Sequence, residues 1–220
     1  MANRRYLLLL ALFYSLSLSA QQFEIFGGVN SNHTYDTVNE EGKSLYSSYE
    51  AGRGFTIGFS FDNPNMNGYA SRITLSYNRI TGTINTDNGF FASGTSAEID
   101  KSSLNLAVYP FTFIVKKMYF SLGLQGNYML STKSTGYSGY LGTEPPTTSN
   151  ILQVSDPKFH KEFGYGVALR VHYSINLKSG LSIIPQYNLY YGIGEEYSTF
   201  EYEKIKVWQQ VLALGIGMQF

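Results

Sequence analysis

The chain ends with Ile205-Lys-Val-Trp-Gln-Gln-Val-Leu-Ala-Leu-Gly-Ile-Gly-Met-Gln-Phe220, and this stretch decides the fold. Every second position back from the C-terminus is large and apolar for most of its length: Phe220, Met218, Ile216, Leu214, Leu212 and then Trp208. The positions between them carry Gln219, Gly217, Gly215, Ala213, Val211 and Gln209. Because successive side chains of a β-strand point to opposite faces, one face is apolar and the other is small or polar. The second face has no ladder of Lys and Glu, which is typical of a strand in a membrane-spanning barrel.

The composition of the 220 residues favours the same class of protein. Charged residues make up 15% of the chain, while it contains 19 Tyr, 15 Phe, 22 Gly and no Cys. An aromatic-rich, glycine-rich and charge-poor chain favours an all-β protein whose exterior is not an ordinary aqueous surface. The absence of Cys excludes disulfides and thiolate metal sites. The chain has no excess of basic residues, so its charge does not indicate a nucleic acid as partner. No motif indicates a cofactor.

The first twenty residues have the pattern of a secretory signal peptide. Arg4 and Arg5 precede a Leu-rich run of about a dozen residues, and Ala20 precedes a polar pair. The run is shorter than the ~20 residues of a membrane-spanning helix. We therefore expect a signal peptide over 1–20 and one β-barrel domain over 21–220; a short N-terminal anchor is the alternative. Removal of both arginines lowers the 16 basic residues to 14, against 16 acidic residues.

Seven further alternating stretches precede the last one, which gives eight predicted strands: 23–30, 52–61, 69–84, 98–113, 118–132, 163–176, 181–193 and 205–220. The connections between them alternate between long (31–51, 85–97, 133–162, 194–204) and short (62–68, 114–117, 177–180). This alternation predicts an eight-stranded antiparallel up-and-down transmembrane β-barrel with short periplasmic turns, long external loops and both termini in the periplasm. Pro185 predicts a bulge or distortion in the seventh strand, because proline cannot donate a ladder hydrogen bond.

A soluble eight-stranded barrel with an apolar cavity is the alternative fold. Its outer face would carry many charged residues, whereas the polar parity here is mainly Gly, Ser, Thr, Asn and Gln. Aromatic residues also recur on the apolar parity where girdles at the two membrane interfaces are expected: Tyr69, Tyr77, Phe163, Tyr165, Tyr173, Trp208 and Phe220. The sequence therefore favours the outer membrane.

The chain resembles the small outer-membrane β-barrel proteins of Bacteroidetes-type bacteria, often called PorT-like or porin-family proteins. The resemblance lies in 26–30 (Phe-Gly-Gly-Val-Asn), 73–78 (Ile-Thr-Leu-Ser-Tyr-Asn), 103–110 (Ser-Leu-Asn-Leu-Ala-Val-Tyr-Pro) and 119–126 (Tyr-Phe-Ser-Leu-Gly-Leu-Gln-Gly). Where this sequence has Ala107-Val-Tyr-Pro110, members often carry an Ile-Pro-Leu-Leu run. The resemblance implies a barrel in the outer membrane and little about activity, since the family includes secretion accessories.

Four charged or titratable residues fall on the polar parity: Glu24, Arg72, Arg170 and His172. A buried charge needs a partner, so we expect Glu24 to pair with Arg72 or Arg170, with Asn and Gln side chains around them. Such a network closes the lumen; the alternative is the selectivity constriction of a narrow channel.

Catalysis has weaker support. The three histidines are His33, His160 and His172, and none has a Ser and an acid at an identifiable spacing. We predict no enzymatic activity, no metal and no cofactor, with a lipid-modifying enzyme as the weakest alternative.

The external loops are the predicted contact surface, with Tyr137 and Tyr140 as candidates. The expected partners are outer-membrane lipids, the outer-membrane assembly machinery and a protein of an envelope assembly. The predicted function is a structural, accessory or binding subunit; the second hypothesis is a narrow channel for ions or small solutes.

Overall fold

A computed structural model describes residues 22–36, 46–64, 70–88, 93–140, 151–152, 162–177, 180–194, 197–199 and 203–219. The predicted signal peptide, His160, Tyr69 and Phe220 lie outside these ranges. Within them, no helix has the length and apolar content needed to cross a membrane.

The described residues form β-strands and turns. The strands are β1 (Gln22–Asp36), β2 (Tyr46–Glu50), β3 (Gly52–Pro64), β4 (Ala70–Asn88), β5 (Ser93–Val115), β6 (Met118–Tyr140), β7 (Ile151–Leu152), β8 (Phe163–Tyr173), β9 (Ile175–Asn176), β10 (Leu181–Gly192), β11 (Tyr197–Thr199) and β12 (Glu203–Gln219).

Eight long strands close into an antiparallel barrel in the order β1-β3-β4-β5-β6-β8-β10-β12. The ring closes because β12 pairs with both β1 and β10, from Gln22 opposite Gln219 and from Leu181 opposite Met218. Closure leaves no free sheet edge around the ring. The predicted eight-stranded antiparallel barrel is confirmed, and the C-terminal strand is the one that closes it.

The alternation of side chains matches the predicted faces. In β12, Leu212, Leu214 and Ile216 are about 60% exposed on the outside, whereas Val211 and Ala213 are buried inside. β8 has the same strict alternation along its whole length. The barrel is therefore inside out relative to a soluble protein: its exposed wall is apolar and its interior is largely polar.

Tyr77, Phe163, Tyr165, Tyr173 and Trp208 share the outward parity with these aliphatic residues. The structure thus places the described members of the predicted aromatic set on the outer wall. Their position at a membrane interface stays a prediction.

Two bulges change the strand register, and the prediction placed neither. The β5–β6 pairing shifts between Ser102 and Ser103, and again between Val108 and Phe111. The second shift surrounds Pro110, which has no N–H to donate to the ladder. After this shift the odd-numbered Phe111 and Phe113 face outward, whereas before it the even-numbered Val108 does.

The sheet is distorted beside Pro185, as predicted, although not by a bulge. The pairing of Pro185 with β12 continues without a register shift, but the ladder on the other side is interrupted between β8 and β9. The sixth predicted strand is therefore split at Ser174.

The strands are longer than predicted, and several residues assigned to loops belong to them. β1 continues to Asp36, β3 to Pro64, β4 to Asn88 and β6 to Tyr140, while β5 begins at Ser93. These segments lack strong apolar alternation but are stabilised by pairing with a neighbour. β4, β5 and β6 project past the closed ring, with β2 on the edge of β4 and β7 on the edge of β6. We call this part, residues 81–88, 93–101 and 131–140, the sheet extension.

Candidate functional site

The four charged or titratable residues predicted to face the lumen are all buried inside the barrel. Glu24 lies on β1, Arg72 on β4, and Arg170 and His172 on β8. Glu24 and Arg170 are 0% exposed. The inward-facing residues of three separate strands therefore converge on one point of the interior, close to the short-turn end of the barrel.

Glu24 is the centre of this cluster and contacts both arginines. Arg170 Nη2 donates to Glu24 Oε2 at 2.6 Å and to Oε1 at 2.9 Å. Arg72 Nη1 donates to Glu24 Oε2 at 3.2 Å, and Gln186 Nε2 donates to Oε1 at 2.9 Å. The prediction offered Arg72 or Arg170 as the partner; the structure has both, with one of the expected amides beside them.

Asp62 is the member that the sequence reasoning missed. Arg72 donates to both of its carboxylate oxygens, from Nε to Oδ1 and from Nη2 to Oδ2. The Asn- and Pro-containing segment after Phe61 indicated a turn from position 62, but β3 continues to Pro64. Thr56 and Ser60 face the lumen, and alternate residues of a strand share a face. Continuing the strand from Ser60 to position 62 would therefore have placed Asp62 in the interior. With it, two carboxylates face two guanidinium groups, and the cluster is balanced in charge.

The remaining contacts fix the arginine side chains. Arg170 Nη1 donates to Ser60 Oγ at 3.0 Å, and its guanidinium lies 5.6 Å from the centroid of the Phe26 ring. His172 Nε2 lies 3.5 Å from Arg72 Nη2, and its ring stacks on Tyr119 with centroids 4.5 Å apart. A charge that is desolvated this fully is tolerated because it is paired and hydrogen-bonded. We call Glu24, Asp62, Arg72, Arg170 and His172 the ionic cluster.

Large side chains fill much of the remaining interior, and the sequence reasoning did not single them out. Phe26, Tyr109, Ile184 and Tyr190 are all buried on the lumen parity. An eight-stranded barrel is only wide enough to be filled by side chains, so a few aromatic rings close it. The sequence did contain an indication of this filling, because these large residues occur among the otherwise small and polar residues of the inward face.

Carboxamide side chains occupy the lumen on the far side of Phe26 from the ionic cluster. Asn78 Nδ2 donates to Gln209 Oε1 at 2.9 Å, and Asn30 Nδ2 donates to Thr56 Oγ1 at 3.0 Å. A cavity of about 30 Å³ lies among Asn78, Asn188 and Gln209. Asn78 Oδ1, Asn188 Oδ1 and Gln209 Nε2 are buried there without a hydrogen-bond partner in the described part of the chain. The volume is that of one or two water molecules, for which these three atoms are available hydrogen-bonding groups.

The structure brings His33 next to a serine, a contact that the sequence reasoning missed. Both lie on the outward parity of β1, and Ser31 Oγ is 3.5 Å from His33 Nε2. The His33 ring stacks on Trp208, with centroids 4.4 Å apart. No carboxylate contacts His33 within the described ranges. A serine nucleophile needs a base that a third group holds, and among the described side chains no acid takes that role for His33.

Within the described ranges, no group of three His, Cys, Asp or Glu side chains converges to hold a metal ion.

Tyr137 and Tyr140, the predicted contact residues, are on β6 rather than in a loop, opposite Ser96 and Ser93 of β5. Their side chains lie outside what the structure describes.

Comparison with known proteins gives one family. The model described as "Outer membrane protein beta-barrel domain" matches residues 15–198. No curated protein matches the chain in sequence.

Among solved structures, the outer membrane protein OprG from Pseudomonas aeruginosa is similar, with 11% identity, a TM-score of 0.45 and coverage of 92% of this chain and 98% of that one. Ail, the attachment invasion locus protein of Yersinia pestis, has 11% identity, a TM-score of 0.37 and coverage of 90% and 99%. Neisserial surface protein A has 14% identity, a TM-score of 0.37 and coverage of 90% and 97%.

Proposed function

Since the chain belongs to the outer membrane protein β-barrel domain family, we propose that it is a non-enzymatic barrel that serves as a binding or accessory subunit of an envelope assembly. The observation that carries this proposal is the buried ionic cluster, which fills one end of the lumen. A barrel whose interior is occupied by its own side chains acts through its outer surfaces. Those surfaces are the apolar wall and the sheet extension.

The proposed orientation places both termini and the short turns in the periplasm, with the sheet extension outside the cell. One short turn supports it directly: Val115 pairs with Met118, so only Lys116 and Lys117 connect β5 to β6. The opposite end carries long paired segments. Barrels of this class have short periplasmic turns and longer external connections. Kinship with the PorT-like proteins, and recognition of β12 by the outer-membrane assembly machinery, belong to the same proposal.

The sheet extension is the proposed contact surface. Residues 81–88 of β4 run past the last residue pair with β3, which joins Ile80 to Gly54. Eight residues at ~3.3 Å each project roughly 26 Å along the strand direction. Binding groups work best on a rigid support, and this support is continuous with the barrel wall. Pairing with β2 along residues 83–87, and with β7 at Gly136 and Tyr137, also covers part of each edge of the extension, which reduces nonspecific strand addition there.

A channel is the second candidate function. The carboxamide-lined half of the lumen with its cavity of about 30 Å³ favours it, because polar walls hold water. The ionic cluster argues against a continuous pathway, since Glu24 and Arg170 have no exposed surface. Conductance therefore requires breaking the cluster.

Site-specific photo-crosslinking in cells tests the proposed contact surface. A photoreactive amino acid at Thr83 or Glu98 of the sheet extension is expected to give one discrete protein adduct. The same group at Leu124 or Leu212, on the apolar wall, is the matched control and is expected to give lipid adducts only. If neither position 83 nor position 98 gives a protein adduct while the protein is folded and in the membrane, the result contradicts the proposed role of the sheet extension.

A further inference from the structure

We propose that a groove on the outer wall, centred on Gly27, holds one acyl chain of a phospholipid. The groove has a volume of about 870 Å³ and crosses β12, β1, β3, β4 and β5, with Leu181 of β10 at its edge. It is distinct from the sheet extension, and most of its lining faces outward, although Phe26, Gly58 and Ser76 of the lumen parity also contribute to it.

The groove arises where an outward-facing position has no side chain. Gly27 lies between Leu214 of β12 and Ile57 of β3 in the paired register. The next outward row consists of Ile216, Ile25 and Phe59. Leu214, Ile57, Ile216 and Ile25 are each more than half exposed and stand above the wall, so Gly27 forms a notch between them.

The lining of the groove selects an apolar ligand. Its side chains are aliphatic or aromatic apart from Ser76 and the hydroxyl of Tyr77. Phe23, Phe59 and Phe61 form an aromatic group near one end, with ring centroids 5.1 to 6.3 Å apart. Tyr77 packs against Phe55 at 5.9 Å toward the other end. Apart from these two hydroxyl groups, the lining side chains offer a polar ligand no hydrogen-bonding partner.

The dimensions fit a flexible chain. From β12 to β5 the groove crosses four strand spacings of ~4.8 Å, roughly 19 Å in all. Strands of such barrels tilt by ~40°, so this path covers roughly 12 Å along the membrane normal. One leaflet is about 15 Å deep, half of a hydrocarbon core of ~30 Å. Lipid tails are as apolar as the wall, so a chain gains nothing by burial as such; it gains dispersion contacts in a notch that a flat wall lacks.

The source of the chain follows from the end of the barrel at which the groove begins. Leu181, Met218 and Phe23 lie on its margin and belong to the short-turn end. In the proposed orientation this end faces the periplasm, where the inner leaflet supplies phospholipid. The choice of phospholipid therefore rests on the proposed orientation, whereas the acyl-chain site itself rests only on the lipid-facing wall of an outer-membrane barrel.

Gly27 permits a direct test because the wall has room for a side chain there. An added Cβ would lie 3.8 Å from Ile57 Cγ2 and 3.9 Å from the Thr56 carbonyl oxygen, which are ordinary contacts. Gly27→Ala therefore adds a methyl group without displacing the backbone, and Gly27→Leu adds a larger apolar side chain to fill more of the notch. Leu124→Phe adds bulk on β6, the strand opposite β1 in the ring, and is the matched control.

The experiment is native mass spectrometry of the full chain in mild detergent, titrated with phosphatidylethanolamine and, in a second series, with lipopolysaccharide. Heat-dependent electrophoretic mobility shows that each variant is folded. The wild type and Leu124→Phe are expected to retain one phospholipid, and Gly27→Leu to retain it about tenfold less well, with Gly27→Ala between them.

Three results overturn the proposal. Equal retention in all folded variants shows that the groove holds no lipid. Retention of lipopolysaccharide in place of phospholipid shows that the source, and the orientation behind it, are wrong. A dimer that Gly27→Leu disrupts shows that a second copy occupies the groove. None of these results bears on crosslinking at the sheet extension, so the two proposals fail separately.

Discussion

Replacement of Glu24 by alanine is the perturbation that most directly tests the ionic cluster. The carboxylate of Glu24 is the acceptor for Arg170 at 2.6 Å and for Arg72 at 3.2 Å, and none of the three side chains has appreciable solvent exposure. In Glu24→Ala, Arg72 keeps Asp62, but Arg170 loses the carboxylate that it contacts and keeps only the Ser60 hydroxyl as a close acceptor. A buried guanidinium is then left uncompensated.

The expected cost follows from that uncompensated charge. Removing one partner of a buried ion pair destabilises a protein by about 3–5 kcal/mol. An exposed ion pair elsewhere in the barrel gives the reference: Arg79 and Asp100 lie 2.8 Å apart with side chains 52% and 38% exposed, and breaking such a pair costs ~0–1 kcal/mol. Glu24→Ala should therefore lower the free energy of unfolding several times more than Arg79→Ala does.

A second variant separates charge imbalance from lost packing. Glu24→Leu combined with Arg170→Met removes one charge of each sign and leaves Arg72 paired with Asp62. Replacing a buried pair by apolar residues of similar volume is often neutral. The double variant should therefore recover most of the stability that Glu24→Leu alone loses, and the double-mutant cycle gives the coupling energy.

The assay is urea unfolding in phospholipid vesicles, followed by the fluorescence of Trp208, the one tryptophan of the chain. The reasoning is refuted if Glu24→Ala and Arg79→Ala differ by less than about 1 kcal/mol. It is also refuted if the double variant is as unstable as the sum of its single substitutions.

Three further predictions concern single positions. Lys116, in the turn between β5 and β6, has φ near 60°. This left-handed backbone conformation costs an L-residue ~1–2 kcal/mol but costs glycine little. Lys116→Gly should therefore raise the urea midpoint of unfolding, whereas Lys117→Gly should not. Gly28 faces the lumen, where an added Cβ would lie 2.2 Å from the Leu212 carbonyl oxygen; Gly28→Ala should prevent the heat-modifiable folded form, and Gly27→Ala should leave it intact. The Ser31–His33 pair lacks an orienting acid in the described part of the chain. Purified wild type and His33→Ala should therefore release equal, background amounts of fatty acid from phospholipid vesicles. Release by the wild type alone would contradict the non-enzymatic proposal.

The fold was predictable because one simple rule, alternation with period two, applies along most of the length of the barrel strands. The pattern of Met218, Ile216, Leu214 and Leu212 assigned β12 to the barrel and gave its outer face correctly. The same rule brought Glu24, Arg72 and Arg170 to one side of the wall. Since closure of the barrel then leaves little interior space, their pairing followed from the cost of an unpaired buried charge.

Strand ends and phase changes were not predictable in the same way. Asp62 stands beside Asn63 and Pro64, whose composition indicates a turn, so its place in the cluster depends on pairing that the local sequence does not encode. Pro110 shifts the register and reverses the facing of Phe111, although alternation alone continues the earlier phase. The sheet extension carries Ser, Thr and Gly without an apolar stripe, and it therefore resembles a loop in sequence.

Planar-bilayer conductance of the purified wild-type barrel tests the central claim most directly. The claim is that the lumen is closed by Glu24, Asp62, Arg72 and Arg170, so that the protein works through its outer surfaces. We predict no steady open state for the wild type, measured beside a reconstituted porin in the same bilayers. A steady, reproducible open state of the wild-type protein would contradict the closed lumen and favour the narrow channel.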